Sequence, residues 1–377
     1  MKKVLKGSIA LMLALCILLS VTCCAKKQTL STGDLPIEHE LEFGGFYIKI
    51  TNDDFEKLGF TIGDSVDLVC SNGYKEEDLP FYDGYFTKKG EKQIIAYQGY
   101  PYLKAVTNNG GDLYEIAGLK QTDTARVTLR EKGKYLTTQK ALGMKYTSER
   151  SDYASDEEFA NFREMKGGKL APKTFYRSAS IYDNQYQRAP YAAKLNEQAG
   201  VRTVMNLADN EEKLQKHLAD PVNDTPYIKN LRESGGILAV GVNSDYMEDN
   251  FRQKTTAALK QMTQMEGPFL IHCTEGKDRT GYVCALIEML AGASYEELEA
   301  DYMKTYDNYY HVSKQSNPES YNAVLDLRFG EFLTNVCGKE DYKSLTAEEL
   351  TQGAENYLRS GGMTDDEIAA LKAKITR

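Results

Sequence analysis

The chain has 377 residues, 41% of them hydrophobic, and a formal net charge of −9. That length accommodates two domains, each with its own core, in an ordinary globular composition. The acidic balance excludes nucleic acid as a general partner and requires any attraction for anions to be local.

Lys2, Lys3 and Lys6 precede an apolar run from Ile9 to Val21. The run is short for a membrane span and has the proportions of a signal peptide. It ends at Val21-Thr22-Cys23-Cys24, followed by polar Ala25-Lys26-Lys27-Gln28, and this resembles a bacterial lipoprotein cleavage site. The resemblance implies lipidation of Cys24, or of Cys23 if cleavage falls one residue earlier. Residues 1–24 are expected to form the leader and residues 25–36 a polar tether. The mature chain is then extracytoplasmic, either a lipoprotein held at the membrane by its N-terminal lipid or a secreted protein. An ordinary cleaved signal with a nearby thiol is the alternative. No CxxC pair or Cys/His cluster has metal-ligand spacing, so no metal or other cofactor is expected. A disulfide among Cys70, Cys284 and Cys337 stays open, and Cys284 fits a core position more simply.

From residue 37 to residue 147 short strand patterns alternate with Gly and Asn clusters. Phe46–Ile50, Val66–Val69, Gln93–Tyr97 and Arg126–Leu129 are the predicted strands, and the pattern predicts a small β-barrel or sandwich. One internal echo is visible. Gly59-Phe60-Thr61-Ile62-Gly63-Asp64-Ser65-Val66 parallels Gly118-Leu119-Lys120-Gln121-Thr122-Asp123-Thr124-Ala125, each a turn with Asp at the same offset entering a strand. Residues of about 59–127, especially Gly99 to Gly111, faintly resemble the β-barrel domain of S-adenosylmethionine-dependent halogenases and hydroxide adenosyltransferases. That resemblance implies architecture and no activity.

Residues 151–377 turn to an α/β pattern, with helical periods at Ala192–Leu195, Phe251–Met265, Ser294–Thr305, Ala347–Leu358 and Thr364–Ile375. Within it lies His272-Cys273-Thr274-Glu275-Gly276-Lys277-Asp278-Arg279-Thr280-Gly281. The preceding Pro268–Ile271 reads as a buried strand. The following Thr280–Leu290 reads as a helix, with Val283, Leu286, Ile287 and Leu290 at helical spacing. A loop that joins a strand end to a helix N-terminus gathers free N–H groups and the positive end of the helix dipole around an anion. Arg279 adds a planar fork for two phosphate oxygens. Cys273 lies at the base of the loop, in a field that favours the nucleophilic thiolate form of cysteine.

These residues resemble the signature loop of the protein tyrosine phosphatase superfamily. His-Cys-x-x-Gly-Lys-Asp-Arg-Thr-Gly is similar to its bacterial group of atypical tyrosine and lipid phosphatases. Phe159-Ala160-Asn161-Phe162-Arg163, Phe175-Tyr176-Arg177-Ser178-Ala179, Gly200–Leu207 with Glu212, and Ala291–Leu298 with Asp301-Tyr302 resemble further segments of that group. Three positions depart from it. Asn206-Leu207-Ala208 stands where the group has Asp-Leu-Arg, and Glu164 stands where the opening motif has Asp. The resemblance implies a Cys-dependent phosphatase fold, a central sheet flanked by helices, in an α/β domain preceded by the small all-β barrel-like domain. It implies Cys273 as nucleophile, with His272 to Arg279 as the phosphate-binding loop. Thr280 would assist departure of the thiolate in a second, hydrolytic step. His272 is expected to hold the loop structurally and not to act as a base. For the general acid the resemblance favours Asp278. Asp245 and Asp249, 28 and 24 residues before Cys273, and Asp209 are the alternatives. Lys277 either contacts extra phosphates or balances Glu275 and Asp278.

The expected activity is phosphomonoester hydrolysis through a phosphocysteine. The substrate is a phosphorylated protein, a phosphoinositide or an inositol phosphate. A phytase-like inositol polyphosphate phosphatase is one alternative. A catalytically silent phospho-binding lipoprotein, with its function in the β-domain, is another. A rhodanese-like sulfur transferase is a third, disfavoured by the Cys-to-Arg spacing, the His and the Thr-Gly.

Overall fold

A computed structural model describes residues 30–376. The leader, Cys23, Cys24 and the first residues of the tether lie outside the described residues. The chain divides between Gly143 and Met144 into two compact units.

The first unit is a closed barrel of seven strands: β1 (Leu35–His39), β2 (Phe46–Ile48), β3 (Ser65–Cys70), β4 (Lys75–Tyr82), β5 (Lys92–Ile95), β6 (Leu103–Thr107) and β7 (Thr124–Glu131). Their order around the barrel is β1-β2-β6-β5-β4-β3-β7. Every pairing is antiparallel except β4 with β5. Alternation sets the inward face: Val66, Leu68 and Cys70 on β3 and Ala125 and Val127 on β7 are buried, whereas Val69 is 38% exposed. Phe55, from the short helix Asn52–Lys57, stacks on Phe60 and meets Phe81 edge-on in the barrel core.

The sequence echo has a structural counterpart. Each copy follows a short helix, takes a positive φ at its glycine (Gly59 +104°, Gly118 +62°) and enters a strand, β3 or β7. In each, the Asp carboxylate accepts the amide three residues before it, Thr61 to Asp64 and Lys120 to Asp123, both at 2.8 Å. The barrel also begins earlier than the sequence indicated. Thr32 N–H donates to Val127 at 3.0 Å and Leu129 N–H to Leu30 at 2.8 Å, and β1 starts at Leu35. Residues 30–36, expected as tether, are thus barrel.

The second unit holds a five-stranded sheet: β8 (Arg163–Glu164), β9 (Phe175–Ser178), β10 (Thr203–Asn206), β11 (Ile237–Ala239) and β12 (Phe269–His272), in the order β11-β10-β12-β9-β8. β9 to β12 run parallel and β8 is an antiparallel edge. Every residue of β9, β10 and β12 is buried, as strands covered on both faces require. The helices that matter for the site are α1 (Ala189–Gln198), α2 (Asp249–Met262), α3 (Asp278–Leu290), α4 (Tyr295–Tyr310), α5 (Ala347–Ser360) and α6 (Asp365–Ile375). Ser294, Thr346 and Thr364 start α4, α5 and α6 with capping boxes. Register aligns the C-terminal ends of three parallel strands, Ser178 on β9, Asn206 on β10 and His272 on β12. The loop after β12 therefore leaves the centre of the sheet at its carboxyl edge, where open α/β sheets bind ligands. All four described cysteines are free.

Candidate active site

The loop from Cys273 to Lys277 joins β12 to α3. Its carbonyls are pulled outward one after another. His272 Nδ1 lies 3.0 Å from the Cys273 carbonyl oxygen. Ser180 N–H donates to Thr274 O at 3.0 Å. Tyr309 OH donates to Glu275 O at 2.6 Å. Asn161 Nδ2 and Arg177 both donate to Gly276 O, at 3.1 and 3.0 Å. In a planar trans peptide the N–H points opposite to the C=O. Four successive outward carbonyls therefore turn the amides of Thr274, Glu275, Gly276 and Lys277 to the other side, and these amides meet no acceptor among the described residues. The result is an anion-binding concavity at the start of a thirteen-residue helix. Gly276 has φ +66°, and a Cβ there would lie 2.2 Å from Ser178 O, so only glycine fits.

Behind the loop is a buried charge cluster. Asp301 on α4 accepts from Arg163 Nε at 2.7 Å and from Arg177. Arg163 also donates to Asn161 Oδ1 at 2.7 Å. Burial opposes ionisation of Asp301, but the two guanidinium groups outweigh it and hold its carboxyl at about 2. Burial and the nearby Asp301 charge push the Glu288 carboxyl well above the usual range, so it stays neutral. Arg177 and Asn161 carry this cluster directly to Gly276. Asn161 takes a left-handed φ of +51°, which asparagine tolerates better than most residues.

Cys273 is buried, 3% exposed, at the base of the loop. Arg279, in the first turn of α3, donates to Val242 O at 3.1 Å and to Thr274 Oγ1 at 3.3 Å, which clips it across the loop mouth. The Thr280 hydroxyl is buried and has no partner among the described residues. Burial pushes His272 down to about 4 and keeps it neutral. A carbonyl only accepts, so in the Cys273 contact Nδ1 carries the proton, a loop-holding role. The other cysteines differ in kind: burial pushes the Cys70 thiol up to about 12 and the Cys337 thiol up to about 11, and it raises that of Cys284. They are inert thiols.

The acids separate by environment. Asp209 is fully buried. Burial alone would raise its carboxyl, but Asn206 at 3.0 Å and Lys213 at 3.1 Å hold it below the usual range. An ionised carboxylate held in this way has no proton to give, so Asp209 is set aside as an acid. Asp249 opens α2, is 77% exposed and pairs with Arg252. Asp245 lies on the turn that follows Val242, the anchor of Arg279, and accepts Met247 N–H at 3.1 Å. Asp278 is the first residue of α3, 38% exposed and 3.8 Å from Lys277. Lys277 lies 3.7 Å from Glu275 and bonds Tyr310 OH at 3.3 Å, so its charge is balanced within the loop. One feature had no sequence signal. Pro318–Cys337 is helical with a π-helical turn at Leu325–Gly330, and its Arg328 is raised by the charge of Asp278 against the opposing effect of burial. Such turns are frequent at functional sites.

A buried cysteine beneath inward amides, with an arginine clipped across the mouth, defines a cysteine-based anion site on an α/β sheet. Residues 156–377 match the tyrosine phosphatase family, and the chain belongs to that family. It is similar to a tyrosine-protein phosphatase of Nostoc commune, 28% identical over 118 residues, which are 30% of this chain and 40% of that one. It is also similar to the triple specificity protein phosphatase PtpB of Mycobacterium tuberculosis, 37% identical over 150 residues, 34% of this chain and 54% of that one. The chain thus spans about half the length of the curated relatives it matches. The core catalytic domain of the PP-IP phosphatase SIW14 from S. cerevisiae, solved with citrate, aligns over 49% of this chain and 96% of that one, at 18% identity and a TM-score of 0.27.

Proposed function

We propose that the protein hydrolyses phosphate monoesters through a phosphocysteine, with phosphotyrosine in proteins as the preferred substrate class. The observation that carries this reading is the run of outward carbonyls that aims four loop amides inward above Cys273. The Cys273 thiolate attacks phosphorus, the P–S bond forms, and the P–O bond to the substrate breaks. Asp278 supplies the proton to the leaving oxygen, with Asp245 as the second candidate. Water then attacks phosphorus and gives its proton to the Asp278 carboxylate, the P–S bond breaks, and inorganic phosphate leaves with the thiolate restored, helped by the Thr280 hydroxyl. The amides and Arg279 stabilise the equatorial oxygens in both steps.

The aromatic residues beside the loop favour an aryl substrate. Tyr186 and Tyr310, both partly exposed, lie against the ring of Tyr146, with Lys277 over the Tyr310 ring. The internal balancing of Lys277 weakens the case for a polyphosphorylated inositol. A phospho-binding role for the barrel is disfavoured too. Its cleft of about 780 Å³, bounded by Leu41, Phe43, Tyr85, Tyr97, Asn109 and Asp112, has no Lys or Arg among its described lining residues. The test is phosphate release by the full chain, with chelator present, from a phosphotyrosine peptide, a phosphoserine peptide, a phosphoinositide and inositol hexakisphosphate. Release should be fastest from the phosphotyrosine peptide. Faster release from either inositol substrate would replace the protein substrate with that class.

The location belongs to the same proposal. The three lysines, the apolar run and the Cys pair support a lipid anchor at Cys24 outside the cytoplasm. Cells fed a labelled fatty acid should label the wild-type chain and not a variant with both Cys23→Ala and Cys24→Ala. Equal labelling of the two would discard the anchor.

A further inference from the structure

The family match begins at residue 156, yet the phosphate loop is also braced by residues ahead of it. Tyr146 OH donates to the Glu275 carboxylate. Its ring stacks on Tyr309 at 5.0 Å, and Tyr309 OH holds the Glu275 carbonyl. The segment is locked in place by Arg188, which is 1% exposed. The Arg188 guanidinium lies 4.8 Å from the ring centre of Tyr146, 4.5 Å from that of Phe159 and 4.4 Å from that of Tyr309. It also donates to Thr147 O at 3.1 Å and to Tyr153 OH at 3.0 Å.

Glu275 poses a physical problem. A carboxylate two residues from Cys273 is itself an anion, and the amides and Arg279 that would bind a phosphate could bind it as well. Its partners lie elsewhere: the Tyr146 hydroxyl and, 3.7 Å away, Lys277 Nζ. Burial and the Glu275 charge raise Tyr146 far above neutral pH, so it stays a donor.

We infer that Tyr146 is a positioning residue of the active site, holding the Glu275 carboxylate out of the phosphate cradle so that it does not compete with substrate. The inference rests on the phosphatase reading above, for which it adds a determinant of phosphate affinity. Tyr146→Phe keeps the ring stack and removes one hydroxyl. Loss of a charge-assisted hydrogen bond of this kind corresponds to roughly ten-fold in an equilibrium. KM for a phosphotyrosine peptide and the Kd for inorganic phosphate should therefore rise about ten-fold, with kcat within about two-fold of wild type. In a Glu275→Gln background the same Tyr146→Phe change should have no effect, because the competing anion is gone. An unchanged Kd in Tyr146→Phe would overturn the inference. So would an equal loss in both backgrounds, which would make Tyr146 a packing residue only. Titration calorimetry with inorganic phosphate reports on Tyr146 without turnover. A wild-type chain that binds phosphate and hydrolyses no monoester would defeat the functional reading and leave this test intact. A wild-type chain that binds no phosphate would defeat both.

Discussion

Replacing Asp301 with Asn should destabilise the second unit by about 3–5 kcal/mol, the usual result of removing one partner from a buried ion pair. Arg163 and Arg177 would lose the carboxylate that both now bond in the interior. The chain has no Trp, so urea unfolding is best followed by the helical circular dichroism signal, to which α1–α6 of this unit contribute. The sign of the pH dependence follows from the lowered carboxyl. Asp301 titrates at about 2 in the fold against 3.8 when free. Its contribution is fully present above pH 4 and is lost as pH falls toward 2. Asn cannot titrate, so the gap between wild type and variant should close across that window. A gap that stays constant from pH 6 to pH 2 would mean that the cluster is not held by the Asp301 charge. Activity should fall with stability, because Arg177 is both a partner of Asp301 and a support of Gly276 O.

Cys273→Ser should lower phosphate release on the order of 10⁴-fold or more, as loss of a nucleophile does in covalent mechanisms. Serine keeps the size of the side chain and the loop hydrogen bonds, so the variant should still bind inorganic phosphate. Arg279→Lys should lower kcat by about 10²–10³-fold, the usual effect of losing one preorganised donor to transition-state charge. Lysine cannot span Val242 O and Thr274 Oγ1 with a planar fork. Phosphate release by Cys273→Ser at the wild-type rate would remove the mechanism.

The part of the site proposed to react is visible in sequence because it is local. Cys273, Arg279 and Thr280 lie within eight residues, and the strand and helix on either side declare themselves by apolar runs. The supports are not local. Arg163 reaches Asp301 across 138 residues and Arg177 does so across 124, so their pairing becomes visible only once β8, β9 and α4 are placed. Tyr146 is harder still, since one tyrosine among 26 carries no signal of its own. The α/β class and the barrel follow from periodicity, and all four predicted strands of the first unit fall on strands. The strands missed there have physical reasons. β1 begins inside the expected tether at Leu35, β4 opens with Lys-Glu-Glu-Asp and carries a left-handed Asp78 at φ +61°, and the short β6 carries Lys104, buried against Glu40, in its apolar run. The helix Glu211–Leu218 carries no helical period in sequence, because it buries only Leu214, too little for a periodic apolar face.

The central claim is that Cys273 carries the phosphoryl group. The most direct measurement is acid quench of the full chain during turnover of a phosphotyrosine peptide, followed by mass spectrometry of the peptide that contains residue 273. The account predicts a phosphoryl adduct on Cys273 in wild type, lengthened in lifetime when inorganic phosphate release is slowed by Thr280→Ala, and absent in Cys273→Ser. Steady turnover with no adduct on Cys273, or an adduct on any other residue, would contradict it.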